Sequence, residues 1–299
     1  EDGIRDVERS RGLGDVYKRQ VRSERVVLPR RGVPVVCWRV CIPSAEPPAD
    51  WEVFVDISSG EVVQVEDRLR YIEGAGLVFD PDPVTATRDT TLRDEDDSPD
   101  AVPEEAYSEV ALLGLVEDEG HRVVLTGPWV DTSPTARRAR MNEPRFIFDR
   151  SDDRFEEVMA YFHIDRRARY LRQLGYRDLP PAPQPVCVDG LAEDMSYFSP
   201  FTGIITTGTG GVDDAEDADV LIHEYGHALL NRILPDWRGG ETDLLSEGWC
   251  DYQAGDHSLA VDDEFQPMVL FNWDGHNEFW AGRILNAPVS YTHLTLPTN

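Results

Sequence analysis

Short runs of alternating apolar and polar residues open the readable part of the chain. The segments RVVLP, VPVVCWRVCI, WEVFVDI and GEVVQVE, spread over 25–66, have the period of strands, and Ser58-Ser59-Gly60 supplies a turn between the last two. Pro43, Pro47 and Pro48 predict a joint before Trp51. Together these make a small antiparallel sheet. Phe79-Asp80-Pro81-Asp82-Pro83 can only be extended or turning, because a residue before proline is pushed out of the helical region. The acidic stretch from Arg93 to Asp100 reads as a solvated loop, with strands expected around 107–115 and 121–126.

The period then changes. Over about 153–174, Phe155, Val158, Met159, Phe162, Tyr170 and Leu171 recur at helical spacing and Gly175 marks a stop. His163 lies on this helix, where packing or exposure is its expected role. YFSPFTGIIT at 197–206 predicts two strands turning at Ser199-Pro200. The TTGTGG run that follows lacks the GxGxxG arrangement of a phosphate loop. DDAEDADVLIHEYGHALLNRIL predicts a second helix with acids in its first turn, ended by Pro235. A third is expected over about 243–254, capped by Thr242 and stopped by Gly255. The elements define an α+β protein.

Charge and cysteine content narrow the function. The net charge of -28 arises entirely within 21–288, since residues 1–20 carry five acids and five bases; no lysine occurs beyond Lys18. Such a field repels nucleic acid and anionic membranes, so neither is an expected partner. No apolar run reaches the ~20 residues of a membrane span. Cys37 and Cys41 sit on one strand, about 13 Å apart at strand rise and too far to bridge. With no CxxC pair, Cys37, Cys41, Cys187 and Cys250 are expected to be small buried residues.

The chemistry concentrates in His223-Glu224-Tyr225-Gly226-His227, an HExxH motif on a predicted helix. Histidines at i and i+4 project from one face and can share one ion, and Glu224 points alongside towards a bound water. Ala228-Leu229-Leu230 rules out the HExxHxxGxxH extension, so a third ligand must come from elsewhere. Glu247 lies twenty residues on, along the next helix, and Asp251 one turn further, placed to hydrogen-bond a ligand imidazole. Two histidines and a glutamate with an open fourth position make a catalytic zinc site. The acids Asp213, Asp214, Glu216 and Asp217 offer hard oxygens for calcium, and equally a helix start rich in acids.

HEYGHALLNRI followed by SEGWCDY resembles the gluzincin peptidases, and among them the fungalysin and thermolysin-like branch. The resemblance implies a zinc endopeptidase with His223, His227 and Glu247 as ligands, Glu224 as general base and Asp251 behind the metal. DWEVFVDISSGEVVQVEDRLRYIEGAGLVFDPDPV is similar to the end of such an enzyme's propeptide and its joint to the catalytic domain. SYFSPFTGIITTG resembles the edge strand that pairs with substrate, which makes Ser196 and Tyr197 candidate contacts to a peptide or protein substrate. The implied organisation is a propeptide-like sheet over 21–75 and a thermolysin-like zincin domain over 76–288, from a secreted zymogen. Met195 stands where these families often carry Asn. Their oxyanion-steadying His or Tyr is expected beyond the end of the natural sequence near Asn286, and His276 in DGHNEFW is a weak substitute. The ends themselves, EDGIRDVERSRGLGDVYKRQ and PVSYTHLTLPTN, resemble translated sequencing-adapter strings, so 1–20 and 289–299 are expected to be foreign and the 299 residues alone weakly active or inactive. A non-catalytic or latent zinc-binding relative is the alternative, disfavoured by the intact Glu224.

Overall fold

Alternating strands produce a sheet before any helix forms. In the computed structural model, which describes residues 21–286 except 31–32, 46–47, 70, 95–96, 177–181, 237–238 and 277–281, helices and strands are mixed and the chain divides into two units. The first runs to Leu69, with Glu119–His121 grouped with it, and the second takes the rest from Arg70. Strands β1 (Arg22–Arg30), β2 (Val33–Ala45), β3 (Pro48–Asp56) and β4 (Val62–Asp67) pair antiparallel in chain order. Asp56 Oδ1 accepts from Ser58 N at 2.7 Å in the β3–β4 turn, which Gly60 closes at φ 73°. The expected proline joint is instead a hairpin: β2 continues through Pro43, and Ala45 pairs with Pro48. Pro43 and Pro48 lie near the strand ends, where a missing N–H costs the ladder little.

The second unit begins with β5 (Ile72–Phe79), which pairs antiparallel with β6 (Tyr107–Glu117). Asp82 then caps the short helix α1 (Pro83–Thr87), accepting from Thr85 N at 2.8 Å. Strands β7 (Val123–Val124), β9 (Arg140–Met141) and β10 (Arg145–Phe146) complete a sheet of order β10-β5-β6-β7-β9. A second sheet has the order β12-β13-β11-β8, from β8 (Val130–Asp131), β11 (Gln184–Leu191), β12 (Tyr197–Phe198) and β13 (Ile205–Gly208). Helix α2 (Arg154–Gln173) lies against both sheets, touching β5, β8 and β11. Nearly every position from Phe155 to Ala168 is buried, polar ones included, so α2 is central rather than merely amphipathic. Gly76 on β5 permits the approach: a Cβ there would meet Val158 Cγ1 at 2.7 Å. Phe79, Tyr107 and Phe155 form an aromatic cluster with centroids 4.8–5.7 Å apart.

The acidic stretch after Arg93 is not simply solvated. The fully buried Arg150 takes Asp94 through both its carbonyl and its carboxylate, and Glu216 through both carboxylate oxygens. A buried guanidinium needs such partners, so it pulls part of the loop inward. The last two helices are α3 (Ala218–Ile233) and α4 (Glu241–Leu259), followed by the β14 (Val269–Leu270) and β15 (Arg283–Ile284) pair. Helix α4 is longer than expected: Thr242 lies inside it, and Gly255 continues it rather than stopping it. Gly255 faces Leu285, whose Cδ1 would sit 3.0 Å from an added Cβ, so its missing side chain serves packing. Among the described residues no helix is long and apolar enough to cross a membrane.

Candidate metal centre

Asp217 caps α3 by accepting from Asp219 N at 2.9 Å, and the helix that follows is buried through Leu230 on all but its His227 position. His223 and His227 stand one turn apart with ring centroids 4.9 Å apart. Helix α4 packs against α3, and Gly226 lets it come close: an added Cβ would meet Cys250 Sγ at 2.9 Å and Cys250 Cα at 3.1 Å. That close approach sets Glu247 opposite both histidines, its oxygens 3.2 Å from His223 Nε2 and 3.3 Å from His227 Nε2.

The other ring nitrogens are held from behind. Asp251 Oδ1 lies 3.0 Å from His223 Nδ1, and Ser246 Oγ lies 3.0 Å from His227 Nδ1. A carboxylate can only accept, so His223 Nδ1 carries the hydrogen and neutral His223 turns an Nε2 lone pair towards Glu247. Lone pair facing carboxylate is repulsive unless a cation lies between them. The protonation behaviour reports the same demand. Burial, the largest influence, would lower the His223 pKa, but Asp251, Glu247 and the charge of Glu224 lift it to about 9. Burial would raise the Glu247 carboxyl, yet His223 and His227, when they carry a proton on Nε2, hold it well below the usual range. Asp251 is also held low against its burial, by His223 and by Arg283, whose Nη1 donates to its Oδ1.

His223, His227 and Cys250 form a group whose ligand atoms lie within 4.8 Å of one another and could hold a metal ion. Cys250 is fully buried against Gly226, and burial pushes its thiol far up. The donor set of two imidazole nitrogens and one carboxylate fits an ion better. Two ligands about 2.1 Å from one tetrahedral ion lie about 3.4 Å apart, close to the separations Glu247 keeps from both rings. Glu224 sits beside this group, 4% exposed.

The remaining candidates fall elsewhere. Tyr197 begins β12, the edge of its sheet, paired with Thr206 on one side only, and β12 lies against α3. Its ring is exposed, as is Met195. The Ser196 side chain turns inward to donate to Asp214 Oδ2, so only its backbone is left to meet a ligand. Asp214, Glu216 and Asp217 all have donors within the protein, from Ser196 and Gly208, from Arg150 and Trp273, and from Asp219, Trp273 and Asp274 respectively. Asp194, Asp214 and Asp274 make a second group of carboxylates within 4.8 Å of one another. His276 ends a short turn at Asp274–His276, and its side chain lies outside the described residues. His163 is buried, its Nδ1 3.1 Å from His257 Nε2 and its Nε2 2.8 Å from the Phe79 carbonyl. Sequence reasoning missed Ser246 and Arg283. The first adjoins Glu247 and could have been found by asking what orients His227; the second arrives from thirty-two residues beyond Asp251 with no local signal. No protein-family model and no curated protein matches the chain.

Proposed function

We propose that the chain is a zinc-dependent endopeptidase of the gluzincin kind, with a thermolysin-like catalytic unit preceded by a propeptide-like sheet and made for secretion. The observation that carries this reading is the convergence of both Nε2 atoms on one Glu247 carboxylate while Asp251 and Ser246 occupy both Nδ1 atoms. His223, His227 and Glu247 would hold the ion, and their mix of nitrogen and oxygen donors suits zinc rather than calcium or magnesium. Cys250 serves as the packing surface between the two helices. Zinc held by these residues would supply a Lewis acid that makes water more acidic and a carbonyl more electrophilic.

The rest is the work of the chain's own groups. Glu224 accepts the proton of the attacking water and returns it to the leaving amine. Asp251, itself held by Arg283, fixes the tautomer and ring angle of His223, and Ser246 helps hold the ring angle of His227. An extended peptide adds to the free edge of β12, where backbone pairing places a scissile bond without demanding a particular side chain. A peptide or protein is therefore the expected substrate class.

The test is cleavage of an unstructured protein by the zinc-loaded chain, with and without chelator, beside Glu224→Gln. The expected result is chelator-sensitive cleavage that drops about 10²–10⁴-fold in the variant while its zinc content stays the same. Cleavage that persists undiminished in Glu224→Gln, or a chain that binds no zinc, would sink the proposal. Zinc bound at one equivalent with no cleavage would match the inactivity expected of these 299 residues and leave a latent or binding relative as the reading.

A further inference from the structure

Among the described residues six other than glycine hold a positive φ, and five of them are polar: Arg88, Asp97, His121, Asp189 and Gln266. The sixth, Phe271 at φ 59°, is apolar and 4% exposed. A bulky side chain in the left-handed region is strained, and such strain persists where the surroundings over-determine it. Here both sides of the residue are held. Phe271 N donates to Asp219 Oδ2 at 2.9 Å, and Asp219 stands one turn before His223 on α3. The Phe271 carbonyl accepts from Gly275 N at 2.8 Å. Phe271 packs in a small cluster with Val220, Ala254 and Leu270, which accounts for an apolar side chain but neither for a ring nor for the strained backbone.

The ring has two further neighbours. Its centroid lies 5.8 Å from that of the His223 ring, at 65° to it, and 5.2 Å from the guanidinium carbon of Arg283. These are edge-to-face and cation–π separations. Gly282 lets the chain bring Arg283 there, since an added Cβ would meet the Leu270 carbonyl oxygen at 2.6 Å and that of Phe271 at 3.1 Å. His223 Nδ1 and Arg283 Nη1 both donate to Asp251 Oδ1. One ring therefore borders both groups that meet at one carboxylate oxygen.

We propose that Phe271 is a positioning residue of the metal centre. Its ring seats Arg283 against Asp251 and walls the His223 imidazole, and so sets the angle that imidazole presents to an ion. The proposal rests on His223, His227 and Glu247 being the ligands, and adds to them a residue that touches no reacting atom. Strain at Phe271 is kept because this backbone delivers the ring to that place.

The experiment uses the full chain and compares the unaltered protein, Phe271→Leu, Arg283→Gln and the double variant. Zinc affinity is read by competition with a chelating dye, and ligand geometry by the visible spectrum of the cobalt-loaded protein. Leucine stays apolar and is equally strained at positive φ, so the comparison isolates the ring. Phe271→Leu should weaken zinc binding about ten-fold and shift the cobalt bands. The double variant should be no weaker than the weaker single variant, because both residues act through one contact to Asp251. A folded Phe271→Leu that melts lower yet keeps its zinc affinity and cobalt spectrum overturns the proposal and leaves the ring as packing. Losses that multiply in the double variant overturn it too. Should Phe271→Leu fail to fold, Phe271→Met, whose side chain adapts more easily, takes its place with the same expectations. An unaltered chain that binds neither zinc nor cobalt is a different failure, one that removes the ligand assignment and this proposal with it.

Discussion

Glu247 and Cys250 compete for the third place beside the two histidines, and the difference between them is chemical. Glu247 is an ionised carboxylate aimed at both Nε2 atoms, whereas Cys250 is a buried thiol whose proton is hard to remove. Glu247→Ala should therefore abolish stoichiometric zinc binding, while Cys250→Ala should retain it, read by metal content after gel filtration. A cobalt-loaded protein showing a thiolate charge-transfer band would reverse the assignment. Asp251→Asn keeps the shape but weakens the acceptor behind His223, and should cost about 10–100-fold in zinc affinity, measured by competition with a chelating dye. How much of this could be read beforehand differs by residue. His223, Glu224 and His227 follow from helical period alone, and Glu247 and Asp251 from spacing along the next helix. Arg283 does not, because its bond to Asp251 depends on how the chain returns after β14, which no local pattern encodes. The inward turn of Ser196 was equally hidden, since its partner Asp214 lies in a different segment.

Between elements, the packing of α3 on α4 decides whether Glu247 reaches the histidines. Gly226→Ala would drive a methyl into the side chain and backbone of Cys250, and should destabilise the protein by about 1–3 kcal/mol, seen as a lower denaturation midpoint. Pairing it with Cys250→Ala should recover only part of that, because the clash with the backbone of residue 250 remains. Farther along the same helix, His257 meets His163 of α2. The Phe79 carbonyl can only accept, so His163 Nε2 carries its hydrogen and Nδ1 accepts from His257. Burial, chiefly, pushes His163 down to about 4, with Arg166 adding to it and Asp80 opposing; burial also pushes His257 down, with His163, Arg166 and Arg167 adding. Between about 6.5 and about 4 the unfolded chain binds a proton that the folded one refuses, so this pair costs stability as pH falls through that window. Relative to His163→Gln, the unaltered protein should lose about 3 kcal/mol between pH 7 and pH 4, measured by urea denaturation at each pH. A difference that stays constant with pH would refute it. The sequence pattern predicted that α2 and α4 exist, but the burial of these histidines was not legible: the α2 period marks one apolar face, while the helix is sunk nearly all round. The same tertiary demand carried α4 past Gly255, a residue that reads locally as a stop.

At the scale of the whole molecule, the α+β class and the antiparallel opening sheet were readable because strand and helix periods are local. The strand order of the second unit was not, since β10 joins β5 from far along the chain and β13 inserts between β12 and β11. Charge acts at this scale too. The net charge of -28 is set by 57 acids against 29 lysines and arginines, and several of the acids are buried. Burial is the main cause that raises Asp82, Asp214, Glu157 and Glu216 to about 7. A carboxyl raised in the folded state binds a proton there that the unfolded chain has already released, so its contribution is greatest below about 4 and is lost as pH rises towards about 7. By pH 8 these groups and the general self-repulsion of the surface both oppose folding. Only the surface part is screened efficiently, because exposed charges lie in the electrolyte and buried ones do not. Raising sodium chloride from about 0.05 M to about 0.5 M at pH 8 should therefore raise the melting temperature by about 2–4 °C, the equivalent of about 1 kcal/mol. At pH 5, where part of the carboxylate charge is neutralised, the same salt step should move it less. Calorimetry of the zinc-saturated protein at the two pH values measures both shifts, and an equal or larger salt effect at pH 5 would mean that surface repulsion is not what strains this fold.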